Sequence, residues 1–449
     1  MKQAVDIKDL YALKVGALWS ALRAEHLSLW MLCMYFFFEY VRPQSIYPEL
    51  DILPWAQLFL IASILAAFSD RSVHWVGNGQ NKLMILFAMI IIMSGLFAFK
   101  RSASLDYWSV FAGWLIVYFL VISIVNTETR LILFLLAYCL FSLKMAQHGA
   151  VSWAMRGFSF ASYGLVGAPG WFSNSGEYAI QMIIYGSLSV SMVVALKQYW
   201  GPVKKWLLYL AAAMGYMSVM GASSRGSQIG LAVIGIWMLL KMKNGFKGLI
   251  VIIILATALY YLLPDEQMER FAEMGDDKNS LQRLAYWQYA IHEIIPKYPV
   301  LGIGYHNWIY YLAFKVPEGM GPLQKVQESH NIYIQATSEL GFIGLFGFLW
   351  LIVYAFINNA RTRRCAKELK NTLIYYLTFG LDAGLIGYLV AGSFVTVLYY
   401  PFFWIQVAMI VMLNNIANTM LVRINHKIDR DPETGALLVE QVEGEKKLS

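Results

Sequence analysis

Glu328-Ser329-His330-Asn331-Ile332-Tyr333-Ile334-Gln335-Ala336-Thr337-Ser338-Glu339-Leu340-Gly341-Phe342-Ile343-Gly344 closes a polar segment that begins near Asp265 and runs into an apolar helix. The spacing predicts a helix over 332–358 that starts at His330 and carries Asn331, Gln335, Ser338 and Glu339 at intervals of four and three, a polar stripe on one face. Lipid does not tolerate such a stripe, so it must face a polar cavity or other helices, and Glu339 would be costly against hydrocarbon. Almost everything else in the chain is apolar helix. The segment from about 265 to 330, with a composition nearer that of a soluble domain, is therefore where chemistry is expected.

Working outward, 59% of the 449 residues are hydrophobic and 14% charged, with a mean hydropathy of +0.53. That balance is a polytopic membrane protein's, and the apolar runs predict an all-α transmembrane helical bundle of about twelve spans, each near the length that crosses the hydrocarbon core. The division it implies is 1–263 as N-terminal transmembrane helices, 264–331 as a large loop domain with amphipathic helices, 332–421 as C-terminal transmembrane helices and 422–449 as a disordered cytoplasmic tail. A stretch from about Ile7 to Ala21 reads as an amphipathic surface helix, and no cleavable signal pattern follows it. The net charge of +7 first reflects topology: with both termini inside, 23 of the 35 Lys and Arg residues fall on cytoplasmic segments, so a nucleic-acid partner is not implied. On that orientation the Arg42-Pro43-Gln44 turn, the segment His148–Glu177, the Ser223-Ser224-Arg225-Gly226 turn and the long loop all face the outside. Cys33, Cys139 and Cys365 are not placed for a disulfide.

Three side chains stand out for their chemistry. His330 is a proton acceptor at the head of the polar stripe; Arg225 sits at the tip of a very tight turn between two spans; Arg283 lies on a helix opened by Asn279 or Ser280 and closed before Pro296. Arginine offers a planar fork of donors matched to phosphate oxygens and does not titrate away. Taken singly, a histidine that anchors a helix end, a snorkelling Arg225 and a solvated Arg283 would look the same. The run Pro299-Val300-Leu301-Gly302-Ile303-Gly304-Tyr305-His306-Asn307 is a glycine-rich turn whose Gly-x-Gly lacks the third glycine and the strand of a dinucleotide site. Asp276-Asp277 with Glu273 nearby reads as a solvated cluster rather than a divalent-metal site, and no metal ligands or cofactor are expected.

The ordered set is more specific than its parts. The Ser224-Arg225-Gly226 turn, the Arg283 helix leading to 299–307, and His330-Asn331-Ile332 leading to Glu339-Leu340-Gly341-Phe342-Ile343-Gly344 together resemble the O-antigen ligase and polymerase superfamily. Phe172-Ser173-Asn174-Ser175-Gly176-Glu177 resembles that family's Asn-containing turn, without its usual second Asn. The resemblance covers roughly 170–345 and implies a GT-C type membrane glycosyltransferase. Its donor would be a glycan on undecaprenyl diphosphate at the periplasmic face of a bacterial inner membrane, and lipid A-core would be the acceptor. It also implies His330, Arg225 and Arg283 as the catalytic residues. Arg156, Arg42, Tyr305, Asn307 and Gln335 are expected as substrate contacts. A polymerase, a protein O-oligosaccharyltransferase and, in a different class, a lipid or glycan transporter are the rival readings; transport would put ionisable residues near the bilayer midplane in repeated halves, and the polar residues here gather outside instead.

Overall fold

Backbone polar groups in long uncharged runs have no partner but their own helix. The computed structural model describes residues 5–160, 164–241, 278–315 and 326–428, together with 249, 250, 253, 254, 257 and 261, and within these it is helical and without strands. The helices are α1 Ile7–Tyr11, α2 Val15–Ala24, α3 Leu27–Tyr40, α4 Pro43–Ile46, α5 Trp55–Ser69, α6 Gly79–Leu96, α7 Arg101–Ile124 and α8 Glu128–Met155. They continue as α9 Ser175–Leu196, α10 Pro202–Gly221, α11 Arg225–Leu240, α12 Lys278–Tyr289, α13 Trp308–Lys315, α14 Ile332–Glu368, α15 Thr372–Gly392 and α16 Pro401–Ile428.

Seven helices among the described residues are long and apolar enough to cross a membrane: Gly79–Leu96, Arg101–Ile124, Glu128–Met155, Ser175–Tyr199, Ile332–Glu368, Thr372–Gly392 and Pro401–Ile424. The apolar helices Trp55–Ser69 and Arg225–Leu240 are shorter. By that measure seven of about twelve expected spans stand among the described residues, and most of the span expected at 246–263 lies outside them. Glu273, Asp276 and Asp277 and the tail from 429 also lie outside the described residues.

α9 is the hub, buried along most of its length between α8, α10, α11 and α15. Small residues permit the closest of these approaches. Gly380, Gly384 and Gly387 form one stripe of α15, and a Cβ on Gly380 would fall 2.0 Å from Ser191 Oγ while one on Gly387 would fall 2.4 Å from Ile183 Cγ2, so α15 lies against α9 almost backbone to backbone. Three carboxylates inside apolar helices find partners: Glu39 accepts from Trp171 Nε1 at 2.5 Å, Asp382 pairs with Arg363, and Glu339 accepts from the Trp308 amide at 2.9 Å.

The stretch 328–344 folds differently from an unbroken helix, and that difference builds the site. His330 lies outside α14 with φ 51°, and Asn331 is the N-cap, its Oδ1 accepting from the amides of Tyr333 at 2.8 Å and Ile334 at 3.1 Å. At Gly341 the helix breaks, with φ 69° and ψ −171°, a region open in practice only to glycine. The loop 299–304 docks at the break. Ile303 and Gly304 donate to the carbonyls of Ser338 (2.8 Å) and Glu339 (3.0 Å), and Phe342 donates to Pro299 O (2.8 Å). Gly302, at φ 67°, passes so near that a Cβ would meet Glu339 C at 2.4 Å, which is the structural reason for the Gly-x-Gly. On its other side the loop is tied to the α6–α7 turn, where Phe99 N donates to Ile303 O (2.8 Å) and Ser104 Oγ to Tyr305 O (2.6 Å).

Candidate active site

A cavity of about 700 Å³ opens where four helices begin. Its walls come from the N-terminal turns of α9 (Asn174 to Glu177), α11 (Ser223 to Gly226) and α12 (Asn279, Ser280, Arg283), from Glu328 and His330 ahead of α14, and from the α15–α16 loop (Phe394 to Thr396, Tyr399, Tyr400). An aromatic side of Tyr107, Trp171, Tyr305, His306 and Tyr310 completes it. Each helix N-terminus carries a partial positive charge of about half an elementary charge, so several that open on one space favour an anion there even before the arginines are counted, although Asn174 and Asn331 already accept from amides in the first turns of α9 and α14.

The arginines and histidine are held by neighbours that fix them. Arg225 is the first residue of α11, after Ala222, Ser223 (φ 53°) and the N-cap Ser224 turn the chain back from α10. Arg283 is on α12; this helix and the π-helical turn Ala290–Ile294 that continues it turn an outward face of Leu281, Leu284 and Ile291 and bury Tyr286, Ala290 and Ile294 in a small core with Ile303, Trp308, Tyr311 and Leu312. Asn279 and Ser280, expected at the opening of this helix, lie within its first turn. Trp287, four residues beyond Arg283, donates from Nε1 to Ser329 O at 2.8 Å, and Trp308 Nε1 donates to Gln327 O at 2.8 Å. From the opposite wall Thr396 Oγ1 accepts from His330 N at 2.8 Å. The segment that carries His330 is thereby gripped from α12, α13 and the α15–α16 loop.

Backbone strain concentrates here. Seven non-glycine residues among those described have positive φ; Ser223, His306 and His330 line this cavity and Arg42 lines its neighbour. Such conformations cost on the order of 1–3 kcal/mol each and persist where surrounding contacts enforce them, commonly at working sites.

Burial and, second, the positive charge of Arg283 hold His330 well below the usual imidazole value, at about 4, so the ring is neutral near pH 7. His306, its ring 3.6 Å from that of Tyr107, is likewise pushed down to about 4 by burial. Glu328 moves the other way, up to about 7, through burial and then the nearby Glu177.

Of the residues singled out in the sequence, His330, Arg225, Arg283, Tyr305 and Gln335 line this one cavity. Gln335 is nearly buried, its Oε1 accepting from Leu398 N at 3.3 Å and its Nε2 donating to Glu339 Oε2 at 3.4 Å. Asn307 does not reach the cavity: it is fully buried, donating to Ser104 Oγ (2.8 Å) and Tyr305 O (2.9 Å) and accepting from Lys100 N (2.6 Å), a brace for the 299–307 loop. Arg156 ends α8 at the surface and lines neither cavity. Arg42 lines a second cavity, described below. Sequence reasoning did not single out Glu177, Glu328, His306 or the Tyr399-Tyr400 pair. The signals were the Asn174-x-x-Glu177 capping pattern, and two aromatics immediately before a Pro at a helix start.

Residues 209–349 match the O-antigen ligase family model. The match supports the O-antigen ligase superfamily, and it contains Arg225, Arg283 and His330, while Arg42 and Arg156 lie outside it. No curated protein matches the chain.

Proposed function

We propose that the chain is a glycosyltransferase of the bacterial inner membrane that moves a glycan from undecaprenyl diphosphate onto lipid A-core at the periplasmic face. The observation that carries this reading is the gathering of His330, Arg225 and Arg283, all within the family-matched stretch but from segments more than 45 residues apart, into one cavity. The volume suits a sugar diphosphate, since ligand sites commonly fall in the range of about 300–1,000 Å³.

The acceptor hydroxyl attacks the anomeric carbon, the bond from that carbon to the diphosphate oxygen breaks, and the configuration inverts. His330, neutral in the free site, takes the hydroxyl proton, an effect worth about 10²- to 10⁴-fold in rate. Arg225 and Arg283 hold the leaving diphosphate through charge-assisted hydrogen bonds of about 1.5–3 kcal/mol each, aided by the helix N-termini. These events are coupled. A bound diphosphate offsets the charge of Arg283, which otherwise disfavours the imidazolium, so the donor itself makes His330 a stronger base as the reaction begins.

Ligase and polymerase share this donor chemistry and differ in acceptor. With purified protein, one defined repeat on undecaprenyl diphosphate and lipid A-core supplied together, the expected product is glycosylated lipid A-core without lengthening of the lipid-linked glycan. A glycan that lengthens on its own lipid while lipid A-core stays unmodified makes the protein a polymerase.

A further inference from the structure

A second cavity, of about 570 Å³ and more open, shares Trp171 and Tyr400 with the first. Those two rings pack edge to face, 4.9 Å apart, and form a partition with the main cavity on one side and the Arg42 turn and the start of α5 on the other. The partition is fixed, because Trp171 also bonds Glu39 and packs against Trp114 at 5.4 Å. At the far rim Trp55 is equally fixed, stacked on Phe38 at 5.5 Å with its Nε1 donating to Leu50 O at 2.6 Å.

The polar groups on this side differ in kind from those of the main cavity. One arginine, Arg42, is accompanied by Glu39 and Asp51 and by Gln44 and Gln57, so the space has no excess of positive charge to select a phosphate. Arg42 Nε and Gln44 Oε1, a donor and an acceptor, are buried with no hydrogen-bond partner among the described residues. Unmet needs of that kind are costly, and both residues line this cavity, where hydroxyls that donate and accept are partners their polar groups can use. Arg42 is also held at φ 50°, with its guanidinium against Gly170, where a Cβ would fall 1.8 Å from Nη1. Rigid indoles for the apolar C–H face of a pyranose, planar amide, carboxylate and guanidinium groups for its hydroxyls, and no net cationic bias are the chemistry of a sugar site.

We propose that this second cavity is a carbohydrate subsite that seats a sugar ring next to the reaction centre across the Trp171–Tyr400 partition. The assignment rests on the glycosyltransferase reading, and the ring has two sources: the acceptor's oligosaccharide or the distal sugars of the donor glycan. Binding rather than transfer is the test. Purified protein in lipid nanodiscs is titrated calorimetrically with core oligosaccharide freed from its lipid and, separately, with free oligosaccharide repeat, using wild type, Trp55→Ala, Arg42→Gln, Gln57→Ala and Arg225→Ala.

The expected result is that one sugar binds wild type and Arg225→Ala alike and binds about tenfold more weakly to Trp55→Ala and Arg42→Gln, as loss of a stacking face or one to two hydrogen bonds requires. The sugar that behaves so names the source. Gln57 is exposed, so Gln57→Ala, expected to weaken binding less, keeps the test valid should Trp55→Ala fold poorly. Neither sugar binding wild type, unchanged binding in all three second-cavity variants, or loss confined to Arg225→Ala overturns the proposal. Because no transfer is measured, a failed subsite is distinguishable from a failed reaction, which would appear as transfer unaffected by main-cavity variants.

Discussion

At the scale of single residues the account depends on what arginine does that lysine cannot. A lysine keeps the charge and loses the planar fork, so Arg225→Lys and Arg283→Lys are expected to lose transfer nearly as fully as the alanine variants, about 10- to 100-fold in kcat/KM for each interaction removed. Wild-type rates in both lysine variants would reduce these arginines to anchors. The histidine makes a second prediction. A depressed imidazole value means that the neutral, proton-accepting form persists as pH falls, so the acid limb of kcat/KM is expected well below 6.5, toward the value of about 4 held by burial and Arg283. Arg283→Gln removes one of those two causes and is expected to move the limb upward. Measuring both in a Glu328→Gln background removes the carboxyl pushed up to about 7. A limb at or above 6.5 that ignores Arg283→Gln would contradict this. His330, Arg225 and Arg283, which line the cavity, were legible in the sequence as an ordered set, since taken singly each looks like an anchoring, snorkelling or solvated side chain. Glu177 and Glu328 were not, since a carboxylate in a polar stretch looks like any solvated one until the fold closes a wall over it.

At the scale of elements the break in α14 is the feature that a periodic reading conceals. The sequence predicts one continuous polar stripe from His330 through Glu339; the structure puts His330 ahead of the helix, caps the helix with Asn331, and breaks it at Gly341 to receive the 299–304 loop. Nothing in the local pattern announces this, because the carbonyls freed at Ser338 and Glu339 are satisfied by a loop some 35 residues earlier. The Gly-x-Gly of that loop, read on its own as a turn, is half of the same joint. Gly341→Ala puts a side chain at φ 69° and 2.1 Å from Val300 O, so the loop must move. Faster hydrogen exchange at Ile303 and Gly304 together with reduced transfer is the expected outcome; unchanged exchange at both amides would mean that the joint tolerates a Cβ and that the break has another cause.

At the scale of the whole molecule, the segments that the charge count assigned to one side do meet at one end of the bundle: 174–177, 223–226, 279–283 and 328–330 line one cavity, and the Arg42 turn lines the next. Hydrophobic periodicity told helix from loop well, while the number of crossings was harder to read, since spans of 15 or 16 residues such as α5 and α11 are too short to separate from helices buried in protein. Orientation itself is testable with reporter fusions at 290 and 430, which are expected on opposite sides of the membrane; the same side for both would reverse the topology argument. The most direct test of the central claim is transfer, as either product, by purified protein in lipid with EDTA present and donor binding measured in parallel. His330→Ala and His330→Asn are compared with wild type, asparagine being included because it tolerates the positive φ that position requires. The account predicts that both variants bind donor as wild type does and transfer about 10²- to 10⁴-fold more slowly; near-wild-type transfer by either would show that His330 is not the base.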